Sequence, residues 1–113
     1  MISINCKNHG DVSIITINGE FYIESIDYAE KVWNEQLARK PKTIAIDCKN
    51  IKFIDSSAIG ILVKFLNTAM KMKIELVFFD LSDTIMNVFK TAKLSNFFKI
   101  LTRTQFEMEY LEK

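Results

Sequence analysis

Three adjacent side chains, Asp55, Ser56 and Ser57, place a carboxylate and two hydroxyls where the chain changes character. A short apolar segment precedes them and a long segment with helical periodicity follows, so they are predicted to lie at the start of a helix. Such side chains accept hydrogen bonds from the free N–H groups of a first helical turn. The same N–H groups and the helix dipole favour a phosphate, so helix capping and an anion-attracting hydroxyl are compatible interpretations.

The segment 46–62 resembles the signature of STAS domains, the sulfate-transporter and anti-sigma-factor-antagonist family. It has a strand ending in Asp47, a short turn, and then Asp-Ser-Ser with the small residues Ala58 and Gly60. Length and element order extend the resemblance to essentially the whole chain. In stand-alone antagonists of this family the second Ser of Asp-Ser-Ser is the phosphorylation site, so the resemblance implies that Ser57 is phosphorylated.

Two positions depart from the family pattern. The family often has Gly after the phosphorylated serine, whereas this chain has Ala58, a better helix former that leaves the hydroxyl approachable. The family also often has Gly-Glu-Leu-Asp after the second strand. Here the segment 19–22 keeps Gly-Glu and has Tyr22 where the Asp would be. The expected surroundings of the phosphorylation site are Asp55, Ser56, Ala58, Gly60, Glu20 and Tyr22.

The resemblance also implies partners. The unmodified chain would bind an anti-sigma factor, which is also a serine kinase of histidine-kinase-like fold, and would thereby free a sigma factor. A serine phosphatase would reset the switch. The alternative is a STAS scaffold subunit of a stress-signalling or lipid-transport complex, without phosphate turnover. We do not expect an enzyme. Residues as close in sequence as Asp55 and Ser57 rarely face one another at a helix start, and no His is placed to orient them.

Composition excludes several classes of function. The net charge of +1 without a strongly basic stretch argues against nucleic-acid binding. Apolar runs are too short for a membrane span and no secretory leader is visible, so we expect a cytoplasmic protein. The single His and the two cysteines, Cys6 and Cys48, form no metal motif, so neither a metal nor another cofactor is expected. Both cysteines fall in predicted strands and are expected to be free and buried.

Periodicity and turn signals predict one α/β domain over residues 1–113, with the order ββαβαβαβα. Its sheet is mostly parallel with an antiparallel N-terminal strand, and helices flank it. Gly19 is expected to end the second strand, Ser25 to cap the first helix, and Trp33 to anchor the core. His9 is placed in a turn, and Thr104 is expected to open a capping box. The predicted strands are 1–7, 12–18, 43–48, 74–80 and 97–101, and the predicted helices are 25–40, 57–73, 82–93 and 104 onwards.

The helix after Asp55 has an apolar arc about twice as wide as a helix on a sheet requires. Its outer part includes Ile59, Val63 and Met70, which either pack against another helix of the domain or form a docking surface beside Ser57. The loop 19–22 and the Asp55 loop both follow strands. They are therefore expected at one rim of the sheet, where partner sites gather in open α/β folds.

Overall fold

Six strands form one sheet in the computed structural model, which describes residues 2–112. The strands are β1 (Ser3–His9), β2 (Val12–Phe21), β3 (Thr43–Asp47), β4 (Ile51–Ile54), β5 (Glu75–Phe79) and β6 (Lys99–Leu101). The helices are α1 (Ile26–Ala38), preceded by a 3₁₀ turn (Ile23–Ser25), α2 (Ser56–Lys71), α3 (Asp83–Thr91) and α4 (Arg103–Phe106), which continues as a π-helical turn (Glu107–Leu111). The predicted fold class is confirmed.

The sheet has the order β1-β2-β3-β5-β6, and β4 pairs separately with β2. β1 and β2 are antiparallel, whereas the other pairs are parallel. The predicted order lacked β4, so the sequence of elements is ββαββαβαβα rather than ββαβαβαβα. The strand is only four residues long and follows β3 after a three-residue turn, so no independent periodicity marks it.

The prediction that Gly19 ends the second strand was wrong. β2 runs on to Phe21, and Gly19 has φ of 104°, a left-handed value that glycine adopts without strain. The pairing register shifts between Gly19 and Glu20, so the first half of β2 pairs with β3 and its end pairs with β4. This bulge directs the end of β2 toward the turn that precedes α2.

The main core lies between the sheet and the helices α1, α2 and α3. Trp33 of α1 stacks on Phe65 of α2, with ring centroids 4.3 Å apart and planes 9° apart, so Trp33 is a core anchor as predicted. Phe78 of β5 packs against Phe89 and Phe98 on the same side. These contacts fix α2 against the sheet, and with it the position of its first turn.

The opposite face of the sheet is covered by α4, where Phe106 stacks on Phe79 at a centroid distance of 4.0 Å. The helix begins two residues earlier than predicted. Thr102, not Thr104, accepts the N–H of Gln105 at 3.0 Å, while the Gln105 side chain accepts the N–H of Thr102 at 2.9 Å. Both threonines have a glutamine or glutamate three residues later, so the spacing alone could not decide between them.

Several local predictions change in detail. His9 is the last residue of β1 rather than a turn residue, and Met1, the predicted start of this strand, lies outside the described residues. Both cysteines are free, but Cys6 is exposed while Cys48, just after β3, is buried. Ser25 precedes α1 without a side-chain cap, because its hydroxyl donates to the carbonyl of Glu20 at 3.2 Å.

Candidate functional site

Asp55 caps α2. Its backbone is extended, with φ of −103° and ψ of 178°, and its Oδ1 accepts the N–H of Ala58 at 2.8 Å. Its carbonyl accepts the N–H of Ile59 at 3.0 Å, the first bond of the helix. The predicted capping at this helix start is therefore confirmed, and it is Asp55 rather than Ser56 that makes the cap.

The second oxygen of Asp55 reaches a different part of the chain. Oδ2 accepts the N–H of Ile23 at 3.1 Å, and the Asp55 N–H donates to the carbonyl of Phe21 at 3.3 Å. Asp55 thus joins the start of α2 to the end of β2 and the turn that follows it. The two loops predicted to share a rim of the sheet are in contact there.

Ser57 is the second residue of α2, and its side chain is half-buried. Lys64, seven residues later, makes an ion pair of 2.8 Å with Glu30 of α1, so this flank of α2 faces α1. At about 100° per residue, Ser57 points within about 20° of the direction of Lys64. Ser57 therefore faces the side of α1 and the 3₁₀ turn. Within residues 2–112 its hydroxyl makes no hydrogen bond, so no internal hydrogen bond holds it.

Ser56 points elsewhere. It is exposed and lines a groove of about 380 Å³ between the start of α2 and α3. The groove is mostly apolar, and its walls are Ile54, Asp55, Ser56, Ile59, Asn87, Val88, Thr91 and Ala92. The two serines of the signature therefore lie on different surfaces: Ser56 faces α3 and Ser57 faces α1.

Ala58 is fully buried against the core, and Gly60 is exposed. A Cβ built at Gly60 would meet nothing within 4 Å, so packing does not require glycine at this position. The position of Ala58 explains why a small residue follows Ser57, since the helix start approaches the sheet there.

Glu20 and Tyr22 lie at the rim as predicted, and the Tyr22 side chain pairs with a neighbour in its own loop. Its hydroxyl donates to Glu24 at 3.2 Å, and the charge of Glu24 raises the pKa of Tyr22. Glu20 lies opposite Phe53 in the β2–β4 pairing. The substitution of Tyr22 for the family's Asp therefore leaves a neutral side chain at this corner of the rim.

The three residues predicted for docking share one flank of α2 but differ in exposure. Ile59 lines the groove toward α3, and Val63 is half-buried against the main core. Met70 is 66% exposed but lies 13 residues along the helix from Ser57, a distance of about 20 Å at 1.5 Å per residue. Val63 contributes to packing within the domain, and docking through Ile59 stays a prediction. Docking through Met70 would require a surface separate from the one around Ser57.

Two exposed apolar side chains beside the site were missed from the sequence. Ile23 is 65% exposed and Phe53 is 50% exposed, and both lie next to the Asp55 cap. Ile23 is held there by its hydrogen bond to Asp55, and Phe53 by the pairing of β4 with β2. In the sequence, each of the two rim loops contains a large apolar residue, and this is the feature that could have identified them. Whether these residues are exposed depends on the pairing of β4 with β2, which the periodicity of the sequence did not predict.

Asp47, the strand-ending aspartate of the signature, holds the adjacent turn in place. Its Oδ1 accepts the N–H of Lys49 at 3.1 Å, and both carboxylate oxygens accept from Arg103, at 2.8 and 2.7 Å. Arg103 also donates to Asp80 at 2.7 Å, and the hydrogen bond to Asp47 raises the pKa of Arg103. The carboxyl ends of β3 and β5 are therefore tied to α4.

The described part of the chain carries no cluster of three His, Cys, Asp or Glu side chains placed to hold a metal ion. Over residues 2–112, no helix has both the length and the apolar character needed to cross a bilayer. The rim presents the hydroxyls of Ser56 and Ser57, the Asp55 carboxylate and exposed apolar side chains.

Comparison with known proteins gives a family and a fold. Residues 3–106 match the family model of the STAS domain. No curated protein matches the sequence. A Thermotoga maritima protein, described as a candidate anti-sigma factor antagonist, has a similar structure, with a TM-score of 0.86 and 21% identity over 97% of this chain and 95% of its own.

Two further solved structures are similar. An anti-sigma factor antagonist from Mycobacterium paratuberculosis has a TM-score of 0.86 and 16% identity, covering 100% of this chain and 96% of its own. The Bacillus cell fate determinant SpoIIAA in its phosphorylated form has a TM-score of 0.72 and 15% identity, covering 95% and 98%. At these identities the three structures establish the fold.

Proposed function

The chain belongs to the STAS domain family, and on this basis we propose that it is an anti-sigma factor antagonist, a protein-interaction module switched by phosphorylation of Ser57. One observation carries the proposal: the hydroxyl of Ser57 lies on the opening turn of α2 and, within residues 2–112, is free of hydrogen bonds. It is half-buried, so a modifying enzyme must approach it closely. The likeness to antagonist structures supports the same role.

The unmodified protein binds its partner through the apolar surface around this serine. Ile23 and Phe53 supply the exposed side chains, and Ile59 lines the neighbouring groove. The partner is an anti-sigma factor that is also a serine kinase of histidine-kinase-like fold, and its capture frees a sigma factor.

Phosphorylation reverses the binding. A phosphate adds roughly −1.5 to −2 charges at pH 7. Desolvating that charge at an apolar surface, close to the Asp55 carboxylate, costs free energy that the unmodified serine does not. At about 1.4 kcal/mol per factor of ten, a few kcal/mol lower the affinity at least a hundredfold. A serine phosphatase then restores the binding form.

The phosphorylation step is tested by incubating the protein with the anti-sigma factor kinase of its own genome and ATP, followed by mapping of the product by mass spectrometry. Phosphate is expected on Ser57, and Ser57→Ala should abolish it. Ser56→Ala is the matched control, since it removes the neighbouring hydroxyl that faces the groove, and should be phosphorylated as the wild type is. Modification at another residue, or none, contradicts the proposal.

The binding step is tested with the same kinase by calorimetry. Ser57→Asp is expected to lose binding, whereas Ser57→Ala retains it. Equal affinity of the two variants would contradict a switch that works through charge at this position.

A further inference from the structure

We infer that Asp55 transmits the charge state of Ser57 to the exposed 3₁₀ turn Ile23–Ser25, acting as a positioning residue for the binding surface. Asp55 uses its two carboxylate oxygens on two parts of the chain. One accepts the N–H of Ala58 inside α2, and the other accepts the N–H of Ile23, which is 32 residues distant in sequence. A single side chain therefore belongs to both the serine-bearing turn and the binding surface.

The hydrogen bond to Ile23 is what ties the 3₁₀ turn to α2. The other hydrogen bonds of this turn stay close in sequence: the Ser25 N–H donates to Tyr22, and the Ser25 hydroxyl donates to Glu20. Across residues 2–112, the Asp55 carboxylate makes the hydrogen bond that joins residues 23–25 to the start of α2. The orientation of Ile23 therefore depends on Asp55.

The direction of Ser57 makes this connection sensitive to charge. Ser57 faces the side of the 3₁₀ turn, so a phosphate there comes close to a segment that already carries Glu24 and is held by the Asp55 carboxylate. Like charges repel, and because Ser57 and Asp55 are both half-buried, the solvent screens the repulsion between them less than in bulk water. The phosphate also competes for the N–H groups of the first helical turn, one of which Asp55 occupies.

The consequence is release of Ile23 from Asp55 when Ser57 carries a negative charge. Ile23 is one of the two large apolar side chains exposed next to Asp55, so its release would change the shape of this surface as well as its charge. This inference rests on the proposed function for the source of the charge, but the hydrogen bond and its response belong to the isolated chain.

The test uses amide–water exchange measured by NMR on the isolated protein. Ser57→Asp and Ser57→Asn are compared, because these two side chains have the same shape and differ in charge. In low salt the Ile23 amide is expected to exchange about fivefold faster or more in Ser57→Asp, as its hydrogen bond opens more often. Ser57→Asn should remain within about twofold of the wild type, and about 0.5 M salt should reduce the difference by screening.

The role of Asp55 is tested by repeating the comparison in an Asp55→Ser background. Serine keeps one acceptor for the Ala58 cap but lacks the second oxygen for Ile23. In this background the Ile23 amide should exchange rapidly regardless of the residue at position 57. If Asp55 had only a structural role, Ile23 exchange would still differ between the Asp and Asn variants at position 57. If Asp55→Ser does not fold, the comparison is repeated in an Asp55→Asn background. Exchange of the Ala58 amide in that variant shows whether the helix cap is kept.

Equal Ile23 exchange in the Asp and Asn variants at position 57 would overturn the inference, and so would a response that persists without Asp55. Neither result concerns the kinase, so failure of the exchange test leaves the phosphorylation of Ser57 in place. A kinase that does not modify Ser57 would overturn the proposed function while leaving the exchange result standing.

Discussion

One guanidinium nitrogen of Arg103 donates to both carboxylate oxygens of Asp47, at 2.8 and 2.7 Å. These hydrogen bonds connect the last helix to the carboxyl end of the central strand. The same side chain reaches Asp80 at 2.7 Å and lies over the ring of Phe79, 5.1 Å from its centroid. Because Asp47 also holds the turn at Lys49, the pair supports the chain that leads to β4 and the Asp55 cap.

Removing this guanidinium should destabilise the fold. Arg103→Ala leaves Asp47, which is nearly buried, without its cation, and hydrogen bonds to charged groups are worth about 1.5–3 kcal/mol. We expect a loss of this size in the free energy of unfolding, measured by urea denaturation. Lys52→Ala, at an exposed cation on β4, is the control and should change stability by less than about 0.5 kcal/mol. Similar effects of the two variants would show that the hydrogen bonds from Arg103 to Asp47 contribute nothing to the free energy of unfolding.

The stack of Trp33 on Phe65 gives a second prediction. Phe65→Ala opens a cavity between α1 and α2 and should cost about 3–5 kcal/mol in unfolding free energy. Phe97→Ala is the matched control, because that phenylalanine is 71% exposed and its truncation leaves no cavity. The change is expected to stay within about 0.5 kcal/mol. A small loss for Phe65→Ala would mean that α2 is not held by this packing.

Glu75 predicts a dependence of stability on pH. Burial raises the pKa of Glu75, but the hydrogen bond from Tyr110 and the charge of Lys99 outweigh it, so the net pKa is lowered. A lowered pKa in the folded state means that stability is present above the unfolded value of about 4.3 and is lost as pH falls through the folded value.

We therefore expect the unfolding free energy of the wild type to fall more between about pH 6 and pH 3 than that of Glu75→Gln. Thermal unfolding across this range measures the difference. Tyr110→Phe removes the main bond that lowers the pKa and should shift the wild-type dependence toward that of Glu75→Gln. Parallel pH curves for all three proteins would contradict the role of Glu75.

The sequence predicted what depends on neighbours along the chain and missed what depends on neighbours in space. The Asp55 cap and the shared rim follow from local chemistry and strand order, and both are confirmed. β4 was missed because its existence depends on a bulge in β2 at Gly19, which the sequence presented as a strand end.

The rotation of α2 could not be predicted for the same reason. Periodicity predicted the wide apolar arc of α2, but it could not tell which flank of the helix faces α1 and which faces α3. The ion pair between Lys64 and Glu30 shows which flank faces α1, and it joins residues 34 apart in the sequence. Ser57 and Ile59 therefore lie on different flanks, although the sequence grouped them.

The last prediction distinguishes the surface beside Ser57 from the distant end of α2. Ile23 and Met70 are almost equally exposed, at 65% and 66%, so truncating either removes a similar apolar area from the surface. If the partner docks around Ser57, Ile23→Ser and Phe53→Ser should each weaken binding to the anti-sigma factor kinase about tenfold or more, as apolar anchors of an interface do.

Met70→Ser should leave the affinity within about twofold, because that residue lies about 20 Å along the helix from Ser57. Calorimetric titration measures all three variants, and urea denaturation checks that each remains as stable as the wild type. A loss of binding confined to Met70→Ser would move the docking surface to the far end of α2. Phosphorylation of Ser57 would then have to act on binding across the whole length of the helix, where a Debye length of about 8 Å screens its charge.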